Sequence, residues 1–282
     1  MQPPSESSIS ARVQRWSTNT LTLVWQQPWL KVTLNRPERR NALSRELIDH
    51  WCELLKFIET NPSIRALVVS GGRNMFCSGA DLKEIESLSR SAPNEVKINN
   101  HHFGNLLHLL HLCRVPVICL VDGPALGGGL GLVCAADLVF ATKQSRFGMP
   151  ETKLGLLPAQ ILPYVVRKLG LSKAQSFALQ GLDLTGQQAA HHGLVTKLCD
   201  DYSALESACN EALTAIGRCG PVAVARTKQM LNDLNRIESG AIAGLAEQVQ
   251  QATQSPEGKA GRAAFANRCT PPWVVGPKGN EV

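Results

Sequence analysis

The chain has 282 residues, of which 44% are hydrophobic and 18% charged. This composition supports a sizeable buried core and excludes whole-chain disorder. The net charge of +6 is a modest basic excess, which suits an anionic ligand and leaves nucleic acid open at this stage. Residues 1–14 lack the apolar core that a signal peptide needs and read as a disordered tail. Leu21–Trp25 and Leu30–Leu34 are short β-rich runs joined by a turn, the pattern of a hairpin. Ser44 is placed to cap a helix in which Leu47, Ile48, Trp51, Leu54, Leu55 and Ile58 fall on one face at period 3.6. Ala66–Ser70 reads as a buried strand, residues 95–112 as a helix, Val115–Val121 as a strand and Leu138–Ala141 as another. Gly127–Ala136 opens with three glycines and continues as a helical run. Leu194–Leu198 reads as the last strand, followed by helices over 203–217, 221–234 and 236–252. Strands alternate with helices for two thirds of the chain, and the last third is helical. That order predicts an α/β core, residues 15–202, with a helical C-terminal region, 203–282.

The nine cysteines are odd in number and show no CxxC spacing. They argue against a disulfide framework or a zinc site and for a reducing cytoplasm. No apolar run reaches the roughly 18 residues of a membrane-spanning helix. His108 and His111 could share a helix face, but no acidic or thiol partner has fitting spacing, so a polar helix face is expected and no metal site.

Three segments could carry chemistry. Phe76-Cys77-Ser78-Gly79-Ala80-Asp81-Leu82 follows a buried strand. Val121-Asp122-Gly123-Pro124-Ala125-Leu126-Gly127-Gly128-Gly129 ends a strand and opens a helix. Phe147-Gly148-Met149-Pro150-Glu151 follows the next strand. The glycine triplet fits neither G-x-G-x-x-G nor the Walker pattern, which argues against a nucleotide cradle. Glycines that only let a helix pack on a sheet are one alternative. The other is a pair of backbone N–H groups converging on one carbonyl oxygen, an oxyanion hole. A carboxylate at Glu151 would then supply acid–base chemistry. Cys77 and Cys134 flank this site and read as small core residues rather than reactive thiols.

These stretches, with NRPERRNALS at 35–44, FGMPETKLGLLP at 147–158, LDLTGQQAAHHGLV at 182–195 and SPEGKAGRAAFANR at 255–268, resemble the crotonase, or enoyl-CoA hydratase/isomerase, superfamily. The resemblance implies a spiral of ββα units forming two nearly perpendicular sheets, with C-terminal helices used for trimerisation, often as a dimer of trimers. It implies an acyl-CoA thioester as substrate, with coenzyme A arriving as part of it and no permanently bound cofactor. By the same resemblance Ala80 and Gly128 would provide the oxyanion N–H groups, and Glu151 the acid or base. CoA would lie along the 39–42 and 78–82 loops, touching Arg39, Arg40, Ala42, Ser78, Gly79, Asp81 and Leu82. Gly127 and Pro150 would also contact the acyl-CoA, and Phe265 would close the adenine end.

Two departures stand out. Family hydratases typically use two glutamates, and the position of the second is Gly131 here. The Pro-Gly that usually follows the Pro-Glu segment is Leu157-Pro158-Ala159-Gln160-Ile161. Gln160 could orient water or bind a polar acyl group, or simply start a helix. This combination is similar to the isohexenylglutaconyl-CoA hydratase branch, and ETKLG to methylglutaconyl-CoA hydratases. The expected reaction is hydration of a branched or glutaconyl-type 2-enoyl-CoA, with Δ3,Δ2-enoyl-CoA isomerisation by the same glutamate as the alternative. A non-catalytic CoA- or RNA-binding role is a third class. Only 5% of residues are aromatic and no basic run is present, which leaves nucleic acid without a stacking platform.

Overall fold

The computed structural model describes residues 13, 17–72, 74–81, 83–84, 93–234 and 239–272. The expected tail, apart from Val13, and the candidate site residue Leu82 lie outside the described residues. Strands β1 (Leu21–Gln26) and β2 (Trp29–Leu34) form the expected hairpin, paired in register from Leu21↔Leu34 to Gln26↔Trp29. Helix α1 (Arg45–Thr60) starts where Ser44 Oγ accepts a hydrogen bond from the Leu47 N–H at 3.3 Å. The apolar face read from the sequence is the buried face.

The chain continues through β3 (Ala66–Ser70), α2 (Pro93–Leu112), β4 (Val117–Val121), β5 (Pro124–Leu126), α3 (Gly128–Ala135), β6 (Leu138–Thr142) and β7 (Arg146–Gly148). Then come α4 (Leu162–Leu169), α5 (Leu171–Gln180), β8 (Asp183–Thr185), α6 (Gly186–His191) and β9 (Lys197–Cys199). The last third is α7 (Tyr202–Gly217), α8 (Pro221–Asp233), α9 (Ser239–Gln254) and α10 (Pro256–Ala266). Two sheets result. One has six strands in the order β1-β2-β3-β4-β6-β9, parallel except for the first pair. The other has three, in the order β5-β7-β8.

Every residue of β3 and β4 is buried because both sheet faces are covered. Leu67, Val69, Val117, Cys119 and Val121 face the large core shared with α1 and α2. Ala66, Val68, Ile118 and Leu120 face Leu205, Ala208, Cys209 and Leu213 of α7. Helix α8 is tied to the body by Lys228, whose Nζ donates to Asp137 Oδ2 at 2.6 Å and to the Val115 carbonyl at 3.0 Å.

Three expectations change. The last strand is Lys197–Cys199 rather than Leu194–Leu198. Leu194 and Val195 instead pack into the core next to α6, with their N–H groups bonded to the Ala189 carbonyl. Residues 256–266, read only as a motif, form a helix capped by Ser255 Oγ. His111 is not on a polar face. It is 2% exposed and stacks edge-on against Tyr164, and burial beside Arg167 and Lys228 pushes its pKa down to about 3.

Candidate active site

The site forms where the chain leaves the C-terminal ends of two adjacent parallel strands, β3 and β4, the usual place for ligands in such sheets. After β3 the segment 76–81 runs beside β5. Phe76 and Cys77 N–H groups both donate to the Pro124 carbonyl, at 3.0 and 3.1 Å, and Leu126 N–H donates to Cys77 O at 2.9 Å. On its other edge Leu43 N–H donates to Gly79 O at 2.8 Å, and Asp81 N–H donates to Leu43 O at 3.1 Å. That parallel bridge uses the groups on either side of Ala80. Ala80 therefore turns its own N–H away from Leu43.

Gly79 has φ +96°, and a Cβ there would stand 2.9 Å from Leu126 O and 3.4 Å from Gly128 N. Only glycine permits this approach. It brings Ala80 next to Gly128, the first residue of α3, whose N–H has no intrahelical partner. Ala80 and Gly128 line the same cavity.

Glu151 opens a 3₁₀ turn (Glu151–Leu154) directly after β7, with Pro150 at its cap and Gly155, φ +65°, closing it. A Cβ at Gly127 would be 3.1 Å from Glu151 Oε1, so the glycine makes room for the carboxylate at the start of α3. Glu151 Oε2 is buried, with no hydrogen-bond partner among the described residues. Desolvation raises the pKa from 4.5 to about 7, against the opposing hydrogen bond from the residue's own backbone N–H. A carboxyl group in this range exchanges protons readily near neutral pH.

The cavity measures about 160 Å³. Its apolar wall includes Leu43, Ile48, Phe103, Leu156, Leu157 and Ile161, and α9 contributes Val249 and Thr253. Its polar groups are Glu151, Gln160, Asp81, Glu84 and Arg45. One turn along α3 from Gly127, the Gly131 N–H donates to Gly127 O at 3.0 Å. A Cβ at Gly131 would lie 2.5 Å from Ile161 Cγ2 and 3.3 Å from Leu107 Cδ1. Position 131 therefore lacks a carboxylate and also lacks space for one.

The loops are held by a small set of buried polar contacts. Arg36 Nη2 meets Asp81 Oδ2 at 3.0 Å, and Arg36 Nη1 donates to the Ala42 carbonyl at 2.5 Å. Asn41 donates to Gly71 O at 2.7 Å and to Phe76 O at 3.2 Å. Asp122 accepts from Asn74 N–H and from Thr142 Oγ1, which ties the loop after β3 to β4 and β6.

Of the sequence candidates, Glu151, Ala80, Gly128, Asp81 and Gln160 line the cavity, and Gly79, Gly127 and Pro150 shape it from behind. Arg39 and Arg40 are exposed beside it, where Ser78 N–H donates to Arg40 O at 3.0 Å. Ala42 is buried, with its carbonyl taken by Arg36. Phe265 on α10 is exposed and outside the cavity wall. Cys77 and Cys134 are fully buried, which pushes both thiols up to about 12 and leaves them unreactive. Sequence reading missed Arg45, Ile48, Phe103, Ile161, Val249 and Thr253 as wall residues. Only Ile161 had a signal, through its place next to Gln160.

Comparison with known proteins agrees with this geometry. Residues 26–275 match the family model described as enoyl-CoA hydratase/isomerase. The 2,3-dehydroadipyl-CoA hydratase of Escherichia coli K12 is 34% identical over 251 residues, covering 87% of this chain and 95% of that one. The 1,2-epoxyphenylacetyl-CoA isomerase of the same organism is 33% identical over 184 residues, covering 64% of this chain and 69% of that one. A crystal structure of an enoyl-CoA hydratase/isomerase from Marinobacter aquaeolei superposes with a TM-score of 0.75 at 35% identity, over 91% of this chain and 99% of that one. With two strand-end loops meeting at a glycine contact, a buried carboxyl group beside them and a family match along nearly the whole chain, this protein belongs to the enoyl-CoA hydratase/isomerase family.

Proposed function

We propose that the protein hydrates a 2-enoyl-CoA thioester, with a branched or glutaconyl-type acyl group. The observation that carries the reading is the Glu151 carboxyl group. It is raised to a pKa of about 7 and packed at Gly127, immediately before the Gly128 donor. The thioester oxygen accepts hydrogen bonds from the N–H groups of Ala80 and Gly128. The Glu151 carboxylate takes a proton from water, whose oxygen bonds to C3. The C2–C3 π pair moves toward the thioester, and the negative charge gathers on the oxygen held by the two donors. Glu151 then returns its proton to C2, which completes the addition and restores the carboxylate. Each donor stabilises the enolate-like state by roughly 3 kcal/mol.

The acyl assignment rests on the resemblance carried by Gly131 and the 158–161 segment. A relative named 2,3-dehydroadipyl-CoA hydratase supports the diacid character of a glutaconyl-type group. CoA runs along the 39–42 and 78–81 loops, with the exposed Arg39 and Arg40 facing its phosphates and Phe265 at its adenine end. The C-terminal helices assemble the chain into a trimer or a dimer of trimers. Nine cysteines without a disulfide among them support a reducing compartment, and we propose the cytoplasm.

Double-bond isomerisation is the second reading. It is favoured by the retention of only one of the family's two glutamates, since Glu151 alone can remove a proton from one carbon and return it to another, and by the relative named as an isomerase. Mass spectrometry in ¹⁸O water separates the two. Incubation with 2-enoyl-, 3-enoyl- and branched glutaconyl-CoA, beside a Glu151→Gln control, gives a labelled water adduct for a hydratase. An unchanged mass with a moved double bond identifies an isomerase.

A further inference from the structure

Chemistry at C2 and C3 does not depend on what lies beyond them, so the choice of acyl group falls to the cavity wall. We propose that Phe103 is the specificity-determining residue of that wall. Its ring stands against the oxyanion residue Gly128, admits short, branched acyl groups of about six carbons and turns away long straight ones. The inference rests on the acyl-CoA reading of the site and deepens it.

Gly127, Gly128 and Gly129 at the start of α3 each meet a different neighbour. A Cβ at Gly127 would stand 3.1 Å from Glu151 Oε1. One at Gly128 would stand 2.9 Å from Leu43 Cδ1 and 3.1 Å from Phe103 Cζ. One at Gly129 would stand 2.6 Å from Cys77 O. The tip of the Phe103 ring is therefore packed at the donor residue itself. A thioester oxygen at hydrogen-bond distance from the Gly128 N–H brings C2, C3 and any branch on them beside that ring. Phe103 is also the sole aromatic side chain among the described residues that line the cavity.

A wall selects by size only if it does not yield. His102, the residue before Phe103, fixes α2 to α1: its Nδ1 meets Asp49 Oδ1 at 3.2 Å and its Nε2 meets Arg45 Nη2 at 3.1 Å. Phe103 itself packs against the main core. The neighbouring wall is closed in the same way. Ile161 fills the space in front of Gly131, where a Cβ would come within 2.5 Å of its Cγ2. Isoleucine is branched at Cβ and stiff at χ1, so it does not swing aside. Helix α9 packs along α2 and supplies Val249 and Thr253, so the wall continues from Phe103 into α9. The cavity of about 160 Å³ is close in size to an apolar cavity of roughly 150 Å³ that takes one benzene, six carbons. A branched acyl group gathers that many carbons compactly around C3, whereas a straight ten-carbon chain needs length along a wall that Phe103 and Ile161 occupy.

The test compares wild type, Phe103→Leu and Phe103→Ala in two assays on the full-length protein. Calorimetry with butyryl-, isovaleryl-, hexanoyl- and decanoyl-CoA reads the size limit without any reaction. Hydration of straight 2-enoyl-CoAs of four, six and ten carbons in ¹⁸O water reads it during turnover. Wild type is expected to bind the isovaleryl and hexanoyl thioesters at least about tenfold more tightly than the decanoyl one. Phe103→Ala is expected to erase that preference and to raise the kcat/KM ratio of the ten-carbon to the four-carbon substrate by more than about tenfold, with Phe103→Leu in between. If Phe103→Ala does not fold, as read by circular dichroism, the shift in Phe103→Leu decides in the same direction. Equal binding of all four thioesters by wild type overturns the assignment, and so does an unchanged ratio, or an equal loss for every substrate, in a folded variant. A wild type that obeys the size limit in binding but adds no ¹⁸O overturns the hydratase reading and leaves the role of Phe103 standing.

Discussion

Replacing Glu151 with glutamine should make the protein more stable and nearly inactive, and the gain should depend on pH in a way only this carboxyl group can produce. In the folded chain Glu151 has a pKa of about 7, against 4.5 for an unhindered glutamate. Between these values the native state holds a proton that the unfolded chain has released, so stability falls as pH rises. The penalty is absent below about pH 4.5 and complete above about pH 7. Linkage gives a destabilisation of about 1.4 kcal/mol at pH 5.5 and about 3 kcal/mol at pH 8.5. Glutamine carries the same shape and does not titrate. The stability difference between Glu151→Gln and wild type should therefore grow by about 2 kcal/mol from pH 5.5 to pH 8.5. Urea unfolding at fixed protein concentration measures both proteins at both pH values. Because every other titrating group is common to the two, the difference isolates Glu151. Parallel pH profiles would show that Glu151 ionises normally, and the argument from burial would fail.

Other consequences are open to direct measurement. If Glu151 must be ionised to take the water proton, kcat/KM should rise about tenfold per pH unit up to pH 7 and level off above it. A profile flat from pH 5.5 to 8 would remove Glu151 as the base. Gly79→Ala forces a side chain onto a φ of +96° and against Leu126 O at 2.9 Å. It should displace the Ala80 donor and lower kcat by about 10²–10³, and a kcat within about twofold of wild type would remove the Ala80 N–H from the oxyanion site. Lys228→Met leaves Asp137 without its cation and should cost about 3 kcal/mol, and a loss below about 1 kcal/mol in denaturant unfolding would show that α8 is held by packing alone.

Sequence periodicity was enough for the hairpin, α1, β3 and β4, because each buries a regular stripe or a continuous apolar run. The three-residue strands β5, β7 and β8 are too short to show any period. They form only where remote segments pair, Pro124–Leu126 with Arg146–Gly148 and that strand with Asp183–Thr185, which is a tertiary event. The same distinction applies within the site. Gly79 and Gly127 stood out because their positive φ favours glycine, whereas the roles of Ala80, Gly128 and Glu151 came with the family resemblance. Ile161, Val249 and Thr253 did not stand out, since their place in the wall depends on how α4 and α9 dock. The burial of His111 was hidden for a related reason: a helix with histidines at 101, 102, 108 and 111 looks polar until Tyr164 and Lys228 are packed beside it.

Val249 and Thr253 stand one turn apart on α9 and complete a cavity whose reactive groups all precede residue 161. During synthesis the carboxylate and both donors leave the ribosome before the far wall does. Until α9 docks, the cavity lacks that wall and stands open on its side. The same division separates two evolutionary tasks: α9 can change the shape offered to an acyl chain while the atoms that move protons stay where they are.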